Sequence, residues 1–95
     1  MHLKDHHEAK KPDSAKPIFR TTEGSALSIQ ILKGEELAEH LTKIPALLIC
    51  ISGSATYSAI NGEESNLQPG DMVNIPADLK HKVHGKEDSQ LILLR

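Results

Sequence analysis

Six histidines, a lone cysteine and two groups of neighbouring glutamates are the side chains of this sequence that could do chemistry. An imidazole can ligate a metal or move a proton near neutral pH. His2, His6 and His7 could chelate a metal ion, but in a charged flexible segment the expectation is that they are solvated. Cys50 lies within an aliphatic run, with nothing cationic beside it to stabilise a thiolate, so it reads as an inert core thiol. Glu35, Glu36 and Glu39, and Glu63 with Glu64, could be paired for acid and base work, yet at adjacent positions on exposed turns they read as solvated surface. His81 and His84 are three apart, which on a regular strand sends them to opposite faces. No nucleophile elbow, phosphate-binding glycine loop or zinc-finger spacing occurs, so the usual enzyme signatures are missing and the reading leans away from an enzyme.

The chain that must position these groups is short. With 95 residues and 38% hydrophobic content it can fill one modest core, and two independent domains are excluded. Eleven basic and 13 acidic side chains give a formal charge of -2 and no basic stripe, and Phe19 and Tyr57 are the only aromatic residues. Neutralisation of phosphates and stacking on bases are both unsupported, so no nucleic-acid partner is expected. The apolar run Ile44 to Ile51 is interrupted by Pro45 and falls far short of the roughly 20 residues that cross a bilayer. No membrane span is expected. One cysteine allows no intramolecular disulfide, and no signal-peptide pattern follows Met1, so a cytoplasmic location is the expectation.

Residues 1–17 hold lysines, aspartates, histidines and prolines with little to bury, and predict a flexible charged tail. From Ile18 to Arg95 short apolar segments alternate with turn residues, the texture of one all-β domain. Leu27, Ile29 and Ile31 alternate with Ser28, Gln30 and Leu32, predicting a strand with one buried face. Leu47 to Ile51 is apolar at both parities, which predicts a central strand covered on both faces. Ala55 to Ile60 and Glu63 to Leu67 flank Asn61-Gly62, the signature of a two-residue hairpin. Pro69-Gly70 suits the centre of a type II turn, and strands follow at Met72 to Ile75, His81 to His84 and Gln90 to Leu94. Gly34 to Lys43 is rich in helix formers, with Leu37 and Leu41 four apart, but lacks a good N-cap. The all-β context favours an extended segment there.

Gly70, Pro76 six residues later and His81 five beyond that resemble the second motif of the cupin family, with Asp78 where that motif usually has glycine and Gly85 where it often has asparagine. The resemblance spans about Leu27 to Arg95. It implies an antiparallel, jelly-roll-like β-barrel and, commonly, a homodimer formed through a sheet.

It also implies where a metal would sit. Counting back from Gly53, the two histidines of the family's first motif fall on His40 and Thr42, its glutamate on Ala46, and the late histidine on His81. Cupins use such a set to hold a divalent ion such as iron, manganese, nickel or zinc. Here only His40 and His81 remain, and two imidazoles make a poor site for zinc or non-haem iron. Cys50 lies four residues past Ala46, about 13 Å along a strand, and cannot replace the glutamate. No cofactor is therefore expected, with a metal at His40 and His81 as the alternative. The expected function is binding of a small molecule in a pocket of His40, Thr42, Ala46, Leu48 and His81, as a sensor or accessory domain. Two other readings stay open: a metal-dependent oxygenase, isomerase or lyase using His40 and His81, and an associating module that dimerises around Ile49.

Overall fold

The computed structural model describes residues 1–95, the side chains of Glu39 and His40 excepted. Its strands are β1 (Asp13–Arg20), β2 (Ser25–Ile31), β3 (Glu36–His40), β4 (Ala46–Ser52), β5 (Ala55–Ala59), β6 (Glu64–Leu67), β7 (Met72–Ile75), β8 (His81–Gly85) and β9 (Ser89–Leu94). They form a five-stranded sheet in the order β1-β2-β9-β4-β7 and a four-stranded sheet in the order β3-β8-β5-β6. Every pairing recorded is antiparallel. The architecture is the expected jelly roll, built as two facing sheets and not as one closed ring of hydrogen bonds.

Side chains alternate across each strand, so one parity of each sheet faces the other sheet. From the larger sheet Ile29, Ile31, Leu48, Cys50 and Leu91 point inward, and from the smaller sheet Ala55, Tyr57 and Val83 meet them. Burying these aliphatic side chains supplies the main drive for folding, at roughly 1.5–3 kcal/mol for each large one.

Turn chemistry sets the register. Asp71 N donates to Gln68 O at 2.8 Å across Pro69-Gly70, and Gly70 has φ 93°, the geometry of a type II turn. The Asn61-Gly62 hairpin departs from the two-residue form expected. Ala59 N donates to Glu63 O and Gly62 N to Ala59 O, which leaves Ile60, Asn61 and Gly62 in the loop. Gly62 has φ 92°, whereas Asn61 stays at negative φ. A type I turn closed by a left-handed glycine needs one positive φ, and the two-residue alternative needs two.

Gly34 to Lys43 holds β3, because its backbone pairs with β8 from Glu36↔His84 to His40↔His81. A short run of helix formers does not outweigh cross-strand pairing to β8, even with the irregularity between Leu37 and His40. For β4 the expectation of burial on both faces is corrected. Ala46, Leu48 and Cys50 are buried, but Leu47 and Ile49 are only half-buried and Ile51 is exposed. The second face of that strand looks outward.

The flexible tail expected over residues 1–17 is also corrected. β1 begins at Asp13, so the boundary proposed at Ile18 falls inside a strand, and a 3₁₀ turn over Leu3–His6 precedes it. His7 is buried on the outer face of the larger sheet. The physical reason lies in β2: Ser28 and Gln30, which alternation marks as solvent-facing, are polar groups that the N-terminal segment covers and satisfies. Backbone pairing to β2 requires no apolar side chains, so composition gave no sign of it.

Candidate functional site

His81 opens β8 with its side chain directed between the sheets, only 2% exposed. Its Nδ1 lies 2.9 Å from Leu79 O. A carbonyl oxygen can only accept, so Nδ1 carries the proton and, in the neutral ring, Nε2 keeps the lone pair. The imidazole is tilted 36° against the Tyr57 ring, with centroids 5.6 Å apart. On the β3 side its Cα partner is His40, so the two retained family histidines are cross-strand neighbours. The His40 side chain itself lies outside the described residues.

The other expected pocket residues serve the frame. Thr42 Oγ1 donates to Ile44 O at 2.7 Å, and Thr42 O accepts from Asp78 N at 2.8 Å, so this residue ties the loop before β4 to the loop before β8. Ala46 and Leu48 are buried core residues paired with Ile75 and Val73. His84, as its spacing requires, faces away from His81, where Nδ1 lies 3.8 Å from Glu36 Oε2. Asp78, at the family's glycine position, adopts φ 63°, the single positive φ among non-glycine residues described. The loop keeps its left-handed turn although the residue type has changed.

Tyr57 was not legible as a site residue. It is fully buried, and its hydroxyl has no hydrogen-bond partner among the described residues. Burial raises its pKa first, and the charge of Glu63 adds to the effect, so the phenol stays protonated. The usable signal was positional: it is the one aromatic residue on the inward parity of the strands, Phe19 of β1 being exposed. Cys50 is buried as expected, and burial followed by the charge of Asp71 raises its pKa, which keeps the thiol unreactive.

Two cavities flank this core, and neither is lined by Thr42, Ala46, Leu48 or His81. A mouth of about 330 Å³ opens between the sheets, lined by Leu27, Ile29, Leu37, Ala38 and Leu93, with Asp13, Ala15 and Arg95 around them. Its wall is the inward parity of β2 and β9 facing β3, where Leu37 pairs with Val83, two residues from His81 on the same face of β8. A second cavity of about 570 Å³ lies outside the barrel, between the N-terminal segment and Gln30, Ser52 and Gln90 of the larger sheet.

A family profile described as a cupin domain matches residues 28–94. The chain is a cupin. Solved structures place the fold in the same company. A cupin superfamily protein from Desulfitobacterium hafniense superposes with a TM-score of 0.83 at 18% identity, over 97% of this chain and 84% of that one. A conserved protein with a double-stranded β-helix domain from Klebsiella pneumoniae gives 0.84 at 18% identity, over 99% and 85%. KdgF from a Halomonas species gives 0.79 at 21% identity, over 93% and 81%. These likenesses bear on the fold alone. No curated protein matches the chain.

Cupins often hold a metal, and the donor set here does not fit one. Of the four family positions, Ala46 has no donor atom and the Thr42 hydroxyl is engaged with a backbone carbonyl. Among the described residues no three His, Cys, Asp or Glu side chains stand together. Two imidazoles with no carboxylate beside them among the described residues fall below the three protein ligands that catalytic zinc or non-haem iron ordinarily keeps. No helix among the described residues is long and apolar enough to cross a membrane.

Proposed function

We infer that this cupin binds a small, largely apolar molecule at the mouth between its two sheets. The observation that carries the reading is the cavity of about 330 Å³ whose walls are Leu27, Ile29, Leu37 and Leu93. Pockets for small ligands have this character: concave, mostly aliphatic, with few polar groups to fix orientation. Asp13 and Arg95 supply charge at the rim, and His81 stands on the face of β8 that continues the interior. The degenerate metal positions favour binding over hydrolytic or redox chemistry, in keeping with a sensor or accessory role.

A thermal-shift screen of small metabolites tests this directly. The expected result is a stabilising compound whose effect disappears in Leu37→Trp, which fills the mouth while leaving the outer face unchanged. A screen without stabilising compounds, or one whose hits act equally on Leu37→Trp, removes the reading. The metal-enzyme alternative separates on His81→Ala. In a binding protein that change alters ligand affinity and leaves metal content at background, whereas a metal enzyme would lose a stoichiometric ion.

A second reading is favoured by the outer face of the larger sheet. Leu47, Ile49 and Ile92 are half-buried there, beside exposed Ile51, Met72 and Leu94. Register places Ile49 between Met72 and Ile92, so these side chains form one contiguous apolar surface. Association of two copies through this face predicts a dimer in sedimentation that Ile49→Asp converts to a folded monomer. A wild-type monomer at high concentration would exclude it.

A further inference from the structure

The mouth between the sheets is a groove with unlike ends. Its floor is the inward parity of β2 and β9, Leu27, Ile29 and Leu93, while Ala15 and Ala38 along its sides are exposed and leave it open to a ligand. Arg95 stands at one end and Asp13 at the other. Ser25 N donates to Arg95 O at 2.6 Å and Arg95 N to Ser25 O at 3.0 Å, whereas Asp13 is the partner of Ile31. The two ends are therefore separated by the length of β2, about 20 Å. A volume of about 330 Å³ along that length favours an extended chain over a compact ring system.

A bulge in β1 adds a second guanidinium to the Arg95 end. Up to Pro17 the odd residues of β1 share the inward parity, since Ala15 pairs with Ile29 and Pro17 with Leu27. The register then shifts between Pro17 and Phe19, so that Phe19 pairs with Ala26 and Arg20 with Ser25. One extra residue reverses the alternation: Phe19 goes to the outer face, 66% exposed, and Arg20 comes round to the parity of the groove. Arg20, Ser25 and Arg95 thus stand in one row on neighbouring strands, with the arginine Cα atoms about 10 Å apart. Neither guanidinium has a carboxylate within ion-pair distance among the described residues, and Glu23 in the turn between β1 and β2 is exposed.

Two guanidinium forks at the end of an aliphatic groove match a carboxylate carried on an unbranched hydrocarbon chain. We propose, building on the mouth as the ligand site, that this cupin takes a linear aliphatic carboxylate there. Arg20 and Arg95 hold the head, and the chain lies over Leu27, Ile29 and Leu93. Asp13 repels the head from the opposite end, so the molecule enters one way round.

The test titrates the full chain with octanoate, octanol and octyltrimethylammonium below their micelle concentrations, followed through the methyl NMR signals of Leu27, Ile29 and Leu93. The expected result is saturable binding of octanoate, at least tenfold tighter than either of the other two. From hexanoate to decanoate the affinity should rise by up to roughly fourfold for each methylene buried. Arg20→Gln and Arg95→Gln should each lower the ratio of octanoate to octanol affinity severalfold. Equal binding of octanoate and octanol, or an undiminished ratio in both variants, overturns the carboxylate anchor while the mouth stands as an apolar site. Tighter binding of the ammonium places the head at Asp13 and also overturns it. If no octyl probe shifts the methyl signals, the proposal falls, and the mouth itself is then judged by the metabolite screen and Leu37→Trp.

Discussion

His7 Nε2 stands 2.9 Å from the hydroxyl of Ser28, on a strand 21 residues away in the sequence. The other ring nitrogen lies 2.8 Å from Ser14 Oγ, so one imidazole joins the N-terminal segment to β1 and β2 together. Both serines are buried. His7→Ala leaves two buried hydroxyls without their partner, and should destabilise the fold by about 1–3 kcal/mol in urea denaturation.

The same residue sets a pH dependence. Burial first, then the charges of Lys16, His6 and Lys11, lower the His7 pKa from its ordinary 6.5. The unfolded chain therefore takes up a proton that the folded chain resists as pH falls below 6.5. Stability contributed by neutral His7 is complete above that pH and declines below it, down to the lowered folded value. Denaturation at about pH 7.5 and 5.5 should show the loss, and His7→Asn should show less of it.

Asp78 holds a left-handed conformation, φ 63°, that glycine adopts without cost. Its ion pair with Lys43, at 3.6 Å, is between exposed groups and contributes little. Asp78→Gly should therefore be neutral or stabilising by up to about 1 kcal/mol, and Asp78→Val clearly destabilising. Midpoints of thermal unfolding for the two variants, moving apart in that order, are the check.

Tyr57→Phe removes a buried hydroxyl that has no partner among the described residues, while keeping the ring against His81. The ligand-free protein should be as stable or more stable, by up to about 1 kcal/mol. A loss of more than that in chemical denaturation would show that the hydroxyl is satisfied in solution, and the variant would then be the one to compare in ligand binding.

Gly53 combines φ 85° with a Cβ position that would collide with the backbone oxygen of Asp88 and stand 2.6 Å from Ser89 Oγ. Backbone cannot swing aside as a flexible side chain can. Gly53→Ala should cost about 3 kcal/mol or more, read as loss of soluble folded protein or a large fall in the denaturation midpoint.

The fold was largely legible because its determinants are local. Gly70, Pro76 and His81 mark the ends of a turn, a strand and a loop, and Pro69-Gly70 states its turn type outright. The segment around Leu37 was harder, since its propensity is helical and only pairing to β8 makes it a strand. The site was less legible for a different reason. Alternation tells which parity of β2 faces the core, but cannot tell that Ser28 and Gln30 on the other parity are covered by a segment more than ten residues upstream. Tyr57 and Gln90 stand out through polar atoms without a partner among the described residues, and that is a property of three dimensions. The Thr42 position shows the reverse, since spacing aligned it with a ligand whereas its hydroxyl serves the adjacent loop.

β1 lies at one end of the larger sheet, with all its recorded partners on β2. Removing the first twenty residues to obtain a minimal domain would strip seven residues of β2 of a hydrogen-bonded neighbour and uncover an extended, aliphatic-lined row of amides. Such a row recruits strands from other molecules. The backbone of Asp13–Arg20, a stretch with little to offer a core, thus guards against polymerisation by keeping the pairing capacity of β2 occupied within its own chain.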